Sequence, residues 1–140
     1  MKPVKPVSDD GERPALLQAH YGPHETGWLE PLADGTFRVC NNAFDGTWRV
    51  DDIVTIRPGD PTCCDRPVVA TLVARTFAAL VSVYYDRPWT TNWRALVTAL
   101  RAAGLKPEGL LESRANVACH DVAGLRAVLA TLPFRTALPG

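Results

Sequence analysis

The hydrophobic period changes once along this chain, and that change bounds the folds open to it. Trp93, Leu96, Val97 and Leu100 recur at i, i+3, i+4 and i+7, the spacing that lines one side of an α-helix. Before Pro67 no such stripe exists. There the pattern is strand-like, as in TGWLEPL and TFRVC, where Phe37 and Val39 face one way and Arg38 and Cys40 the other. Turn signals punctuate it: Asp34-Gly35 between those two runs, Asp45-Gly46 before TWRV, and Asp51-Asp52 ahead of the β-branched run IVTI. Pro58-Gly59-Asp60-Pro61 closes that strand and opens a loop, PGDPTCCDRP. Residues 15–67 are therefore expected to form a small, sharply turning antiparallel β half without a helix, preceded by a flexible arm over residues 1–14.

In residues 68–134 the expectation is a ββαββα half. VVATLVA and ALVSVYY read as two strands paired through a turn near Arg75-Thr76. The helix that follows starts at a Thr91 or Asn92 cap and stops at Gly104, where Leu105 folds back on Leu100. GLLES and NVACH read as short strands around Arg114-Ala115. Asp121 then caps a second helix with the stripe Val122, Leu125, Leu129 and Leu132, ended by Pro133. This order predicts an α+β fold: helices on one face of a mainly antiparallel sheet, in a ferredoxin-like (split βαβ) βαββα layout packed with the small β unit. A chain of 140 residues, 46% of them hydrophobic, can bury one substantial core, so residues 15–140 are expected to be a single domain.

Fifteen basic residues balance fifteen acidic ones, so no nucleic-acid partner is expected. The apolar run LVARTFAALVSVYY is broken by Arg75 and falls short of the roughly 20 residues a membrane span needs. MKPVKPVSDDGERP meets prolines and acids before any apolar signal-peptide core can form. The expectation is a soluble, cytoplasmic protein with no membrane partner.

Four cysteines without an export signal are expected to stay reduced. Cys63 and Cys64 are adjacent, Cys40 and Cys119 are solitary, and no C-x-x-C pair offers zinc-ligand spacing, so no metal and no cofactor are expected. Cys119, His120 and Asp121 cannot serve as a triad, because consecutive strand residues diverge while nucleophile, base and orienting acid must converge. His24 and Glu25 stand at the entrance to a strand with no local partner. Glycine-rich phosphate loops, nucleophile elbows and paired-histidine zinc motifs are all lacking. The favoured reading is a non-catalytic protein-interaction module with a protein partner, such as an immunity-type inhibitor or a small regulatory protein. The alternative is a small thiol- or metal-dependent enzyme using Cys63, Cys64, Cys119 or His120, with Arg66 lowering a thiol pKa.

Four tryptophans supply the candidate site. Trp28 and Trp93 read as core. Trp48 stands between a turn and Arg49, and Trp89 stands in the loop before the helix, next to Asp86, Arg87 and Pro88. Rigid aromatics beside arginines are typical interface anchors, so Trp48, Trp89, Arg49, Arg87 and Asp86 are the expected binding residues.

One further likeness emerges from the segments ETGWLEPLADGTFRVCNNAF, VDDIVTI and ALRAAGLKPEG. Trp28, Glu30, Gly35, Phe37, Val39, Asn42, Phe44, Asp52 and Val54, then Gly104, Glu108 and Gly109, follow one another in an order that resembles the bacterial domain-of-unknown-function family 4265. The likeness runs from about Glu25 to Leu132. The chain departs from that pattern at Ala43, where the family tends to carry proline, and at Asp51, where it tends to carry glycine. The resemblance implies an α/β tail and a cytoplasmic location, and it assigns no chemistry. Asn42 and Asp52 also have a plain structural use, as turn residues that satisfy backbone donors.

Overall fold

Leu17, Ala19 and Tyr21 alternate with Gln18 and His20, and this period of two builds strand β1 (Leu17–Gly22), which precedes the first strand expected from the sequence. The computed structural model describes residues 15–62 and 65–139; the arm expected over residues 1–14 and the Cys63-Cys64 pair lie outside them. A tight turn at Pro23-His24 leads to β2 (Glu25–Pro31), with Leu17 opposite Leu29 and Gly22 opposite Glu25. Strands β3 (Phe37–Val39), β4 (Ile53–Arg57) and β5 (Val68–Ala74) follow, each antiparallel to the one before. A parallel contact of His20 with Val68 brings β5 back to β1 and closes the five strands into a barrel. Two register shifts between β4 and β5 mark the bulges that bend so short a sheet round on itself.

The barrel is filled by Ala19, Tyr21, Leu29, Val39, Ala43, Val54 and Val69. A Cβ on Gly27 would occupy the space of the Tyr21 ring, which is why the strand carries glycine there. Leu29 points inwards, so its neighbour Trp28 lies on the opposite face, half-buried and outside this cluster. The expectation that Trp28 is core is corrected by the pleat itself. No strand forms at TWRV, where residues 45–51 are turns. Asp52 organises that stretch: its fully buried carboxylate accepts from Arg75 Nε at 3.0 Å, from Arg75 Nη2 at 2.8 Å and from the Arg49 N–H at 2.8 Å. Asn42 Oδ1 accepts from the Val50 N–H at 2.9 Å.

Beyond Thr76 the chain forms a second compact unit. Strand β6 (Ala79–Tyr85), helix α1 (Trp89–Ala102), β7 (Lys106–Leu111), β8 (Arg114–Cys119), helix α2 (Val122–Leu129) and a two-residue β9 (Thr136–Ala137) give an antiparallel sheet of order β7-β8-β6-β9. Val83 and Tyr85 of β6 and Ala115, Val117 and Cys119 of β8 pack against Leu96 and Leu100 of α1 and Leu125 and Leu129 of α2. Alternate strand residues thus meet the two helical stripes on one face of the sheet.

The helix ends divide. At the end of α1, Gly104 sits at φ +79°, its N–H donates to Arg101 O, and the Leu105 N–H donates to Leu100 O: the Schellman stop expected from the sequence. Asp121 caps α2 by accepting from the Gly124 N–H at 2.6 Å. The start of α1 differs. The helix begins at Trp89 behind Pro88, and the Asn92 side chain donates instead to Asp86 O at 2.8 Å, so neither Thr91 nor Asn92 is the cap.

VVATLVA and ALVSVYY do not pair with each other. The first is β5, held by β4 and β1, and the second is β6, held by β8 and β9. The chain divides between Thr76 and Phe77 rather than at 67/68, because barrel closure claims one more strand than the turn signals do. The α+β class holds, with two helices among the described residues and a mostly stranded chain.

Candidate functional site

Where the chain leaves β6 and enters α1, four rings gather. Tyr85 ends the strand, Pro88 and Trp89 begin the helix, and Trp93 follows one turn later on the same side. With Thr90, with Gly109 and Leu110 of β7, and with Glu112 of the β7–β8 turn, they line an open cleft of about 730 Å³. The Tyr85 and Trp93 rings stack at a 25° interplanar angle with centroids 6.3 Å apart. Gly109 lies beside the Trp93 indole, where a Cβ would meet the ring at 3.5 Å, ordinary contact distance. The Asn92 bond to Asp86 O ties the intervening loop to the helix. Trp89 and Trp93 keep one edge against the hydrophobic core and remain half-buried.

The polar groups of the cleft are few. Among the described residues nothing accepts a hydrogen bond from the indole N–H groups of Trp89 and Trp93 or from the Tyr85 hydroxyl. Burial pushes the Tyr85 hydroxyl above its ordinary pKa, so it stays a protonated donor. Among the described residues of the lining, Glu112 is the charged one. The Arg87 guanidinium lies over the Trp89 ring, 4.7 Å from its centroid, a cation–π contact that stiffens the rim. Asp86 Oδ2 meets Arg135 Nε at 3.4 Å in an exposed pair worth little.

The other expected anchors lie in the barrel unit. Trp48 packs against the barrel core and donates its indole N–H to Tyr21 O at 3.1 Å, while Arg49 Nε donates to Gly46 O at 3.2 Å. Asp86, Arg87 and Trp89 therefore form one cluster, and Trp48 and Arg49 belong to another unit. Sequence reasoning missed Tyr85, Gly109, Leu110 and Glu112, and assigned Trp93 to the core alone. The i, i+4 spacing of Trp89 and Trp93 was the available signal, once the helix is allowed to start at Trp89.

Of the residues of the enzyme alternative, Cys63 and Cys64 lie outside the described residues, and Cys119 and His120 are adjacent in sequence but face apart. Cys119 is 0% exposed inside the sheet–helix core, and Cys40 is a half-buried thiol whose pKa is raised by burial and by the nearby Glu30 charge. Neither is in a disulfide. His120 points away from Cys119 and packs its ring on Phe77 at 5.1 Å. No group of three His, Cys, Asp or Glu side chains among the described residues is placed to hold a metal ion. No helix among them is long and apolar enough to cross a membrane.

The chain matches no family model and no curated protein. It is similar in fold to a solved structure described as a hypothetical protein from Neisseria gonorrhoeae, with a TM-score of 0.53 and 16% identity over 85% of this chain and 86% of that one.

Proposed function

We propose that this chain is a non-catalytic protein-interaction module whose contact surface is the aromatic cleft centred on Trp89. The observation that carries the reading is the set of three ring donors, on Tyr85, Trp89 and Trp93, that line an apolar cleft without acceptors of their own among the described residues. Large rings that bury area at little entropic cost, with a polar handle left over, are what interface anchors look like. Trp48 differs in this respect, since its N–H is already spent on Tyr21 O. The role fits an immunity-type inhibitor or a small regulatory protein, acting in the bacterial cytoplasm on a protein partner rather than on nucleic acid or membrane. The balanced charge supports it, as does the placing of Cys40 and Cys119 in different units. We read the second unit as ferredoxin-like, on the support that α1 links β6 to β7 across the intervening β8. Kinship with the family of unknown function 4265 belongs to the same reading, supported by Asn42, Asp52 and Gly104 taking structural turn and cap roles.

The test compares Trp89→Ala with Trp48→Ala in partner capture from an extract of the producing cells. Trp89→Ala is expected to lose a protein held by the wild type while its melting temperature falls only modestly, for a half-buried ring costs less than the about 3–5 kcal/mol of a core one. Trp48→Ala is expected to melt early. A partner retained by a folded Trp89→Ala variant places the contact elsewhere.

A further inference from the structure

We infer that the partner enters as an extended strand that adds to the open edge of β7, pairing its main chain with Gly109 and setting one large apolar side chain against Trp93. The inference rests on the cleft being the contact surface and names what enters it.

The edge carries the first step. β7 stands at the end of the order β7-β8-β6-β9, with β8 on one side and no strand among the described residues on the other. Pro107 fixes which groups look outwards. A proline sits in a ladder with its missing N–H on the outer side, and main-chain groups two residues apart share a side, so Gly109 turns its N–H and C=O outwards as well. Gly109 is exposed, and no hydrogen bond reaches its main chain from any described residue beyond β8.

The same residue lines the aromatic cleft. Whatever covers the rings therefore strips water from that N–H and C=O, and a donor and an acceptor left unpaired there would oppose binding. An extended strand brings an acceptor and a donor at main-chain spacing and answers both. A helix does not, because its backbone is already bonded internally.

The glycine points the same way. Its φ lies outside the left-handed region, and a Cβ would meet Trp93 at 3.5 Å, ordinary contact distance, so the fold itself does not demand glycine there. A bare strand position marks the close approach of another chain. Because the missing Cβ would face Trp93, the residue opposite Gly109 on the added strand faces the indole too, and its neighbours face the side of Lys106 and Glu108. The segment thus alternates, apolar beside the cleft and polar beyond it. Pro107, which has no donor to give, and the register shift after Gly109 keep the pairing short, so the edge alone does not recruit strands indiscriminately.

The test uses the full-length protein on an array of strand-length peptides in which apolar and polar residues alternate, beside shuffles of the same composition, with Trp89→Ala and Gly109→Ala in parallel. Alternating peptides are expected to be retained about tenfold above their shuffles and to be lost by Trp89→Ala. Gly109→Ala is expected to keep the fold and to shift the preference towards smaller apolar side chains. The best retained peptide, remade with single N-methyl groups along its length, is expected to fail at alternate amides and to bind when the amides between are methylated. In its complex the Gly109 amide should exchange with solvent more slowly. Peptides lost by Trp89→Ala yet indifferent to N-methylation at every position, with Gly109 exchange unchanged, overturn the strand and leave the cleft as the contact surface. Peptides that protect Gly109 equally in Trp89→Ala place the contact on the edge alone and overturn the cleft, and retention of no peptide overturns both. Gly109 exchange that slows with protein concentration, before any peptide is added, assigns the strand to a second copy of this chain and overturns a separate partner.

Discussion

Asp52 is the residue on which the barrel's long β3–β4 connection turns. Its carboxylate has no exposed surface, yet it is tied by the two Arg75 nitrogens and the Arg49 N–H, so its lone pairs are satisfied inside the fold. A buried ion pair adds little over an apolar pair of the same shape, but breaking one side leaves a charge without compensation. Arg75→Met is accordingly expected to destabilise the barrel by about 3 kcal/mol, measured by chemical denaturation. A loss under about 1 kcal/mol would show that the pair is a surface contact. Three exposed aspartates behave differently. Asp34, Asp45 and Asp60 each accept from the threonine two residues on, and these bonds hold all three carboxyls below the ordinary value of 3.8. A depressed folded-state pKa means that the stabilisation is fully present above the unfolded pKa and is lost as pH falls through the folded one. The turns are thus insensitive to pH above about 4 and loosen only in more acidic solution. Carbon-detected titration of the three carboxyls should give midpoints below 3.8, and midpoints at or above it would contradict the turn assignment.

At the scale of elements, whatever rests on a local rule was legible and whatever rests on a distant partner was not. The α1 stripe, its Gly104 stop and the Asp121 cap are each fixed by residues within one turn of one another. Gly104→Ala tests the stop directly: at φ +79° a Cβ meets no neighbouring atom, so the cost is that of the left-handed backbone alone, about 1 kcal/mol. A drop of several degrees in melting temperature is the expected result, and no change would mean that the helix end relaxes into another cap. Strand β9 has only two residues and exists through pairing with Tyr84 and Tyr85 some fifty positions earlier, so no local pattern announces it. The partners of β5 and β6 were misread for a related reason: Arg75-Thr76 has the chemistry of a hairpin turn, whereas long-range pairing sends the two strands into different sheets. In the candidate site, Trp89 and Arg87 were visible because each stands out in its neighbourhood. Gly109 and Glu112 were not, because only the β7–β8 pairing brings them to α1.

For the whole molecule, strand β5 decides where a foldable piece can end. Residues 15–67 carry four of the barrel's five strands and lack the one that closes it. Without β5, the β4 edge loses the partners of Val54, Thr55 and Ile56, β1 loses its contact at Val68, and the core loses Val69. Two open edges and an unfilled interior are left where a closed barrel has neither. Extending the chain through Thr76 restores every strand of the unit. A domain of this size buries only about 60% of the surface its unfolded chain exposes, so each missing strand is a large share of its stability. Residues 1–76 are therefore expected to show dispersed amide resonances and a cooperative, if shallow, thermal transition, while residues 1–67 show neither. Cooperative folding of the shorter piece would mean that β5 is an accessory to the barrel; failure of both would mean that closure alone does not stabilise so small a core.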